Sequence, residues 1–126
     1  MKVLVVDDSD MLRERLISLL TDLPDIEVSG QAVDVGDALT KLTELQPDLV
    51  ILDIRMPGGS GIDVLKSAKL ADNPPAVIVF TNYPHSQYRT TCLQEGADYF
   101  LEKTGDFDKI PAAIREISNS IISGRC

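Results

Sequence analysis

Asp7 and Asp8 close the apolar run Val3-Leu4-Val5-Val6, and Asp53 closes Leu49-Val50-Ile51-Leu52. Thr81 follows Val77-Ile78-Val79-Phe80, and Lys103 follows Tyr99-Phe100-Leu101-Glu102. Brought together, three carboxylates, a hydroxyl and an amine make a coherent chemical set. The carboxylates repel one another in a shared pocket, and a bound cation relieves that conflict. Mg²⁺ suits such a cluster because it takes a few carboxylates and fills its remaining positions with waters or substrate oxygens. No His or Cys lies near the strand ends that carry these acids, which argues against zinc. Lys103 offers a compact positive charge to a phosphoryl oxygen, and Thr81 offers a hydroxyl donor. A carboxylate can itself accept a phosphoryl group as an aspartyl phosphate. Phosphoryl transfer chiefly demands in-line positioning and charge neutralisation, and these residues supply both. Taken singly, Asp7-Asp8-Ser9-Asp10 reads as a loop and helix cap, Asp53 as a turn residue and Lys103 as a solvated side chain. The conjunction at four run ends is what points to chemistry.

That conjunction requires the runs to lie side by side and point the same way. Short apolar runs between turn signals read as strands buried on both faces, hence as a parallel sheet. Strands are expected over 2–6, from Ile26-Glu27-Val28 onward, and over 49–52, 76–80 and 98–101. A helix is expected over 10–22, with Leu12, Leu16, Leu19, Leu20 and Leu23 on its apolar stripe and Ser9 or Asp10 as cap. Pro24-Asp25 ends it. Further helices are expected over 36–45, stopping before Pro47, over 62–70 and over 86–95. A last one carries Ile110, Ala113, Ile114, Ile117 and Ile121. Met56-Pro57-Gly58-Gly59-Ser60-Gly61 reads as a loop. Five strands alternating with five helices imply an α/β fold, a three-layer (βα)5 flavodoxin-like sandwich with strand order 2-1-3-4-5. Ligands in such sheets sit beyond the carboxyl ends of the strands, at the switch point that places Asp7 and Asp8 beside Asp53.

The chain has 126 residues, so one domain over 1–126 is expected, with no output domain visible after the last helix. Apolar residues make up 44% and charged residues 25%, the composition of a soluble globular domain. Twelve basic against twenty acidic side chains give a net charge of −8, which argues against direct nucleic-acid binding by this chain. Cys92 and Cys126 suggest plain thiols in a reducing compartment. Neither a signal peptide nor a membrane-spanning run is read, so the cytoplasm is the expected location.

The segments Val5-Val6-Asp7-Asp8 and Leu52-Asp53-Ile54-Arg55-Met56-Pro57, with Gly61, Thr81 and Gly96-Ala97-Asp98-Tyr99-Phe100-Leu101-Glu102-Lys103, resemble the receiver domain of two-component response regulators. The likeness runs from Val3 to about Ile121 and covers nearly the whole chain. It implies that Asp53 is the phosphorylation site. It implies that Mg²⁺ is bound directly by Asp8, Asp53 and the backbone carbonyl of Arg55, with Asp7 acting through water. Thr81 and Lys103 would contact the phosphoryl oxygens. Phe100 would be the switch aromatic, its ring moving from exposed to buried. Arg55 and Tyr83, each two residues past a key side chain, would tune the phosphoryl lifetime. The implied donor is a histidine kinase or histidine phosphotransfer protein in a phosphorelay. The implied output is an output partner or a second copy of the chain, docked on the face of helix 4, strand 5 and helix 5, which offers Tyr88, Arg89 and Phe100. Such a domain is a phosphoprotein rather than an enzyme, although it promotes its own phosphorylation and dephosphorylation. One departure stands out: where receivers usually follow the lysine with proline, this chain has Thr104 and Gly105, so a looser loop is expected there. His85 reads as a surface residue rather than a phosphoryl carrier.

Two alternatives belong to other classes. A haloacid-dehalogenase-like phosphatase also uses Mg²⁺, a lysine and an aspartate after its first strand, here Asp8. Asp8-Ser9-Asp10-Met11-Leu12 lacks that family's Thr or Val, and the chain is short for the fold plus its cap. A receiver-like module that binds partners without phosphorylation is the other, and the intact acid set speaks against it.

Overall fold

The computed structural model describes residues 1–82 and 86–124, with side-chain environments through residue 120. Five strands form one parallel sheet: β1 (Lys2–Val6), β2 (Glu27–Ala32), β3 (Leu49–Leu52), β4 (Ala76–Thr81) and β5 (Tyr99–Glu102). They lie in the order β2-β1-β3-β4-β5, the flavodoxin-like arrangement the sequence implies. The helices are α1 (Asp10–Thr21), α2 (Val35–Leu45), α3 (Gly61–Lys69), α4 (Ser86–Gln94) and α5 (Ile110–Gly124).

Alternation along each strand divides the core in two. Leu4, Val6, Val50, Leu52, Val77 and Val79 face one side, where Ala38 of α2, Val64, Leu65 and Ala68 of α3 and Cys92 of α4 cover them. Val3, Val5, Leu49, Ile51, Ile78 and Phe80 face the other, against Leu16 and Leu20 of α1 and Ile110, Ile114 and Ile117 of α5. Burying each such side chain contributes about 1.5–3 kcal/mol, which fixes strand register firmly. That register sets Val6 opposite both Ala32 and Leu52, so the ends of β1 and β3 are level.

Local signals set the helix boundaries. Ser9, not Asp10, caps α1 by accepting the Leu12 N–H at 3.3 Å; Asp34 and Ser60 cap α2 and α3. Gln46 adopts φ 46° to end α2, and Pro47 cannot extend it. α1 stops at Thr21, a residue short of expectation, and the reversal falls at Asp25, with φ 62°. β4 runs through Thr81 itself, and β5 is shifted one residue later than expected. The stretch read as a plain loop holds an antiparallel ribbon, Arg55–Met56 against Gly59–Ser60. Gly58 and Gly59 turn it at φ 88° and 145°, where a side chain is disfavoured. A short 3₁₀ turn, Phe107–Lys109, precedes α5.

Candidate functional site

The sheet ladder continues one residue past β1 and β3. Asp7 donates its N–H to the Ala32 carbonyl at 3.0 Å, and Asp53 donates to the Val6 carbonyl at 3.0 Å. Both acids are thereby held at the strand ends with their carboxyl groups buried, while Asp8 is exposed. Ligand oxygens of Asp7, Asp8 and Asp53 all lie within 4.8 Å of one another. Lys103 reaches into this cluster from the end of β5. Its Nζ donates to Asp7 Oδ2 at 2.6 Å and to Asp53 Oδ2 at 2.9 Å. The second oxygen of Asp53 accepts the Ile54 N–H at 2.8 Å, and that of Asp7 accepts the Ser9 N–H at 2.8 Å. Thr81 is fully buried at the end of β4, and its carbonyl accepts the Lys103 N–H at 2.9 Å. The four strand ends thus bring together the five residues singled out from the sequence.

Burial and pairing compete here. Burial pushes the Asp7 carboxyl above the ordinary carboxylate value, outweighing the hydrogen bond from Lys103 and the N–H of Ser9. For Lys103, burial favours the neutral amine, but hydrogen bonds to Asp7 and Asp53 and their negative charges win, and its pKa is raised. The ammonium therefore stays charged and partly balances the acids. An exposed carboxylate beside two buried ones is an all-oxygen donor set open to water, which fits a hard cation such as Mg²⁺.

Arg13 borders the site and is absent from the sequence-based set of site residues. It is 8% exposed, and its guanidinium donates to the Asp7 carbonyl at 2.6 Å and to Gln31 Oε1 at 3.0 Å. A third contact goes to Asp10. Arg13 thus ties β1, β2 and α1 together behind the acidic turn. The signal was its position: Arg13, Leu16 and Leu20 are the buried residues of α1, so a charged residue sits on the apolar stripe.

Gly61 supports Asp53 from the other side. A Cβ at residue 61 would lie 2.0 Å from the Asp53 carbonyl oxygen and 2.9 Å from Ile54 Cα, so only glycine lets α3 start this close to β3. Arg55 stands on the turn after Asp53 with an exposed side chain. Tyr83, His85 and Cys126 lie outside the described residues. Burial pushes the Cys92 thiol up to about 11, the behaviour of an inert core thiol.

Phe100 departs from expectation. Its ring is only 6% exposed, packed in the core under α4, rather than standing out from the surface. Arg89 covers it, with the guanidinium carbon 5.7 Å from the ring centroid and Nη1 donating to the Phe100 carbonyl at 3.4 Å. On the surface over α4 and β5, Arg89 is exposed and Phe100 is not. The loop after Lys103 also differs from the loose segment expected without proline. Glu102 and Asp106 bond reciprocally: the Asp106 N–H donates to the Glu102 carbonyl at 2.9 Å, and the Glu102 N–H donates to Asp106 Oδ2 at 2.8 Å.

A cavity of about 1280 Å³ opens at the opposite end of the sheet, beside Asp48, Ala76 and Asp98. It is far from this chemistry, and the constellation of side chains is the better guide to the site.

The family model of the response regulator receiver domain matches residues 3–115. The chain belongs to that family. This receiver is 34% identical to response regulator GacA of Pseudomonas aeruginosa over 117 residues, 92% of the chain and 54% of that protein. It thus spans about half the length of such a relative. The response regulator domain of Thermotoga maritima CheB superposes with a TM-score of 0.83 at 31% identity, covering 94% of each chain. A chain from the CheX-CheY-BeF3-Mg complex of Borrelia burgdorferi superposes with a TM-score of 0.85 at 28% identity, covering 93% of this receiver and 88% of that chain. Family membership places the receiver in two-component signalling. Among the described residues, no helix is long and apolar enough to cross a membrane.

Proposed function

We propose that this receiver accepts a phosphoryl group on Asp53 from a histidine kinase or histidine phosphotransfer protein in the cytoplasm. The observation that carries the reading is Asp53 itself: a buried carboxylate at the switch point, one oxygen on the Ile54 N–H and the other on Lys103. In the transfer, an Asp53 oxygen attacks phosphorus and the bond from phosphorus to the donor's imidazole nitrogen breaks. The electron pair returns to that nitrogen. Lys103 and Thr81 then donate to phosphoryl oxygens; water later attacks phosphorus, the bond from phosphorus to the Asp53 oxygen breaks, and inorganic phosphate leaves as the carboxylate is restored. Asp8, Asp53 and the Arg55 carbonyl would hold Mg²⁺ directly, with Asp7 acting through water. The bound ion supplies neutralisation of phosphoryl charge. Arg55 and Tyr83, each two residues past Asp53 and Thr81 in the sequence, would tune how long the phosphoryl group lasts.

Output follows from the same contacts. Drawing Thr81 and Lys103 toward a phosphoryl group moves the loops after β4 and β5. Because the Phe100 ring starts buried, the response runs through Arg89 and the loop rather than through an inward swing of an exposed ring. A bias of about 3–5 kcal/mol between two pre-existing states is enough to present a changed α4-β5-α5 face to a partner or a second copy. The test is incubation with Mg²⁺ and a small acyl phosphate. One hydroxylamine-sensitive phosphoryl group per chain is expected, and none in Asp53→Asn. Equal uptake by that variant overturns the assignment.

A further inference from the structure

We propose that Asp106 is the positioning residue for Lys103, filling the place that proline takes in the loops of other receivers. The inference rests on the phosphoryl-accepting role proposed for this site. β5 is the last strand of the sheet, bonded on one side only, to β4. The N–H of Lys103 points inward to the Thr81 carbonyl, so the N–H of Glu102, one residue earlier, points to the open edge. Asp106 Oδ2 captures that edge donor at 2.8 Å. The Asp106 N–H returns a bond to the Glu102 carbonyl at 2.9 Å, which closes a ring of backbone with Lys103, Thr104 and Gly105 inside it.

The anchor itself is braced. Lys109 pairs with Asp106 Oδ1 at 2.9 Å. The next residue, Phe107, packs against Phe80 of β4 with ring centroids 6.2 Å apart, and Arg15 of α1 lies 4.7 Å from the Phe107 ring centroid. The Glu102 N–H, with lesser help from Lys109, holds the Asp106 carboxyl below the usual carboxylate value. Thr104 and Gly105 are exposed and impose no fixed φ of their own, and a Cβ at residue 105 would meet nothing within 4 Å. The path that delivers the Lys103 side chain to Asp53 is therefore set by Asp106 on its C-terminal side and by Thr81 on its N-terminal side.

The test compares wild type, Asp106→Ala and Asp106→Asn at saturating Mg²⁺ with a small acyl phosphate. Asp106→Ala should slow phosphorylation of Asp53 about tenfold, because misplacing a group in a transfer site costs rate steeply. Its Mg²⁺ affinity should stay within about twofold of wild type, because the proposed ligands sit on other strand ends. Asp106→Asn keeps an acceptor oxygen for the Glu102 N–H and should recover most of the rate. In Asp106→Ala, amide hydrogen exchange at Glu102 and Lys103 should quicken about tenfold while Val79 stays protected. An unchanged rate in Asp106→Ala, a matching loss of Mg²⁺ affinity, or no recovery in Asp106→Asn overturns the proposal. If wild type takes up no phosphoryl group, the functional reading fails, and the exchange measurement still decides whether Asp106 fixes Lys103.

Discussion

Gly61 lies so close to Asp53 that a single added methyl group would overlap the Asp53 carbonyl, at 2.0 Å from its oxygen. The obstacle is backbone, which cannot swing aside as a flexible side chain can. Gly61→Ala is expected to cost at least about 1–3 kcal/mol, the range for overpacked sites. It should also slow phosphorylation by displacing Asp53. Urea denaturation checks the first effect, and an unchanged midpoint contradicts it.

Asp8 is the exposed member of the acid cluster, so Asp8→Ala should fold with stability within about 0.5 kcal/mol of wild type when metal is absent. Loss of one like charge favours a small gain. Mg²⁺ should raise the Tm of wild type, because a ligand bound only by the folded state stabilises it, and leave Asp8→Ala unmoved. Thermal scans with and without Mg²⁺ decide the matter. An equal rise in both proteins removes Asp8 from the ligand set.

Beryllofluoride, as a phosphoryl mimic, should shift amide resonances or hydrogen exchange across residues 86–110 as well as around Asp53. The Arg89 contact to Phe100 and the bond from Lys103 to the Thr81 carbonyl are the links through which the change should travel. Changes confined to the loops around Asp53 would contradict the output role given to α4, β5 and α5.

Tyr99 donates its hydroxyl to Glu116, and this bond, followed by burial, pushes the phenol up to about 12. A phenol raised in this way keeps its share of stability fully below its ordinary value of 10.0 and loses it as pH climbs through about 12. Ultraviolet titration should find Tyr99 ionising late, and Glu116→Gln should return it toward the ordinary range. A tyrosine that titrates identically in both proteins argues against the bond.

Residues whose placement follows from strand position were legible in the sequence. Leu49–Leu52 matched its expected strand, and Asp7, Asp8, Asp53, Thr81 and Lys103 converge because a parallel sheet puts every strand's carboxyl end on one edge. Contacts between side chain and backbone left little trace: Arg13 shows only as a charge on the apolar stripe of α1, and Asp106 not at all. Arg13 reaches the Asp7 carbonyl and Asp106 reaches the Glu102 N–H, and neither bond repeats at a strand or helix period. Phe100 was read as an exposed switch ring, because alternation alone does not say which strand face a helix such as α4 will cover. The ribbon at Arg55–Ser60 was hidden by its own glycines, which signal a turn without naming the two-residue strands beside it.

The bond from Lys103 to Asp53 joins positions fifty residues apart in the chain, and β4 lies between the strands that carry them. Such a tie can close only after β3, β4 and β5 have aligned, since the ends of a long loop must first be brought together. It is expected to form late in folding and to break early in unfolding. Lys103→Met should therefore leave the refolding rate nearly unchanged and accelerate unfolding, the signature of a contact absent from the transition state. The side chain that ties Asp7 to Asp53 is then also a latch on the receiver's lifetime as a folded molecule.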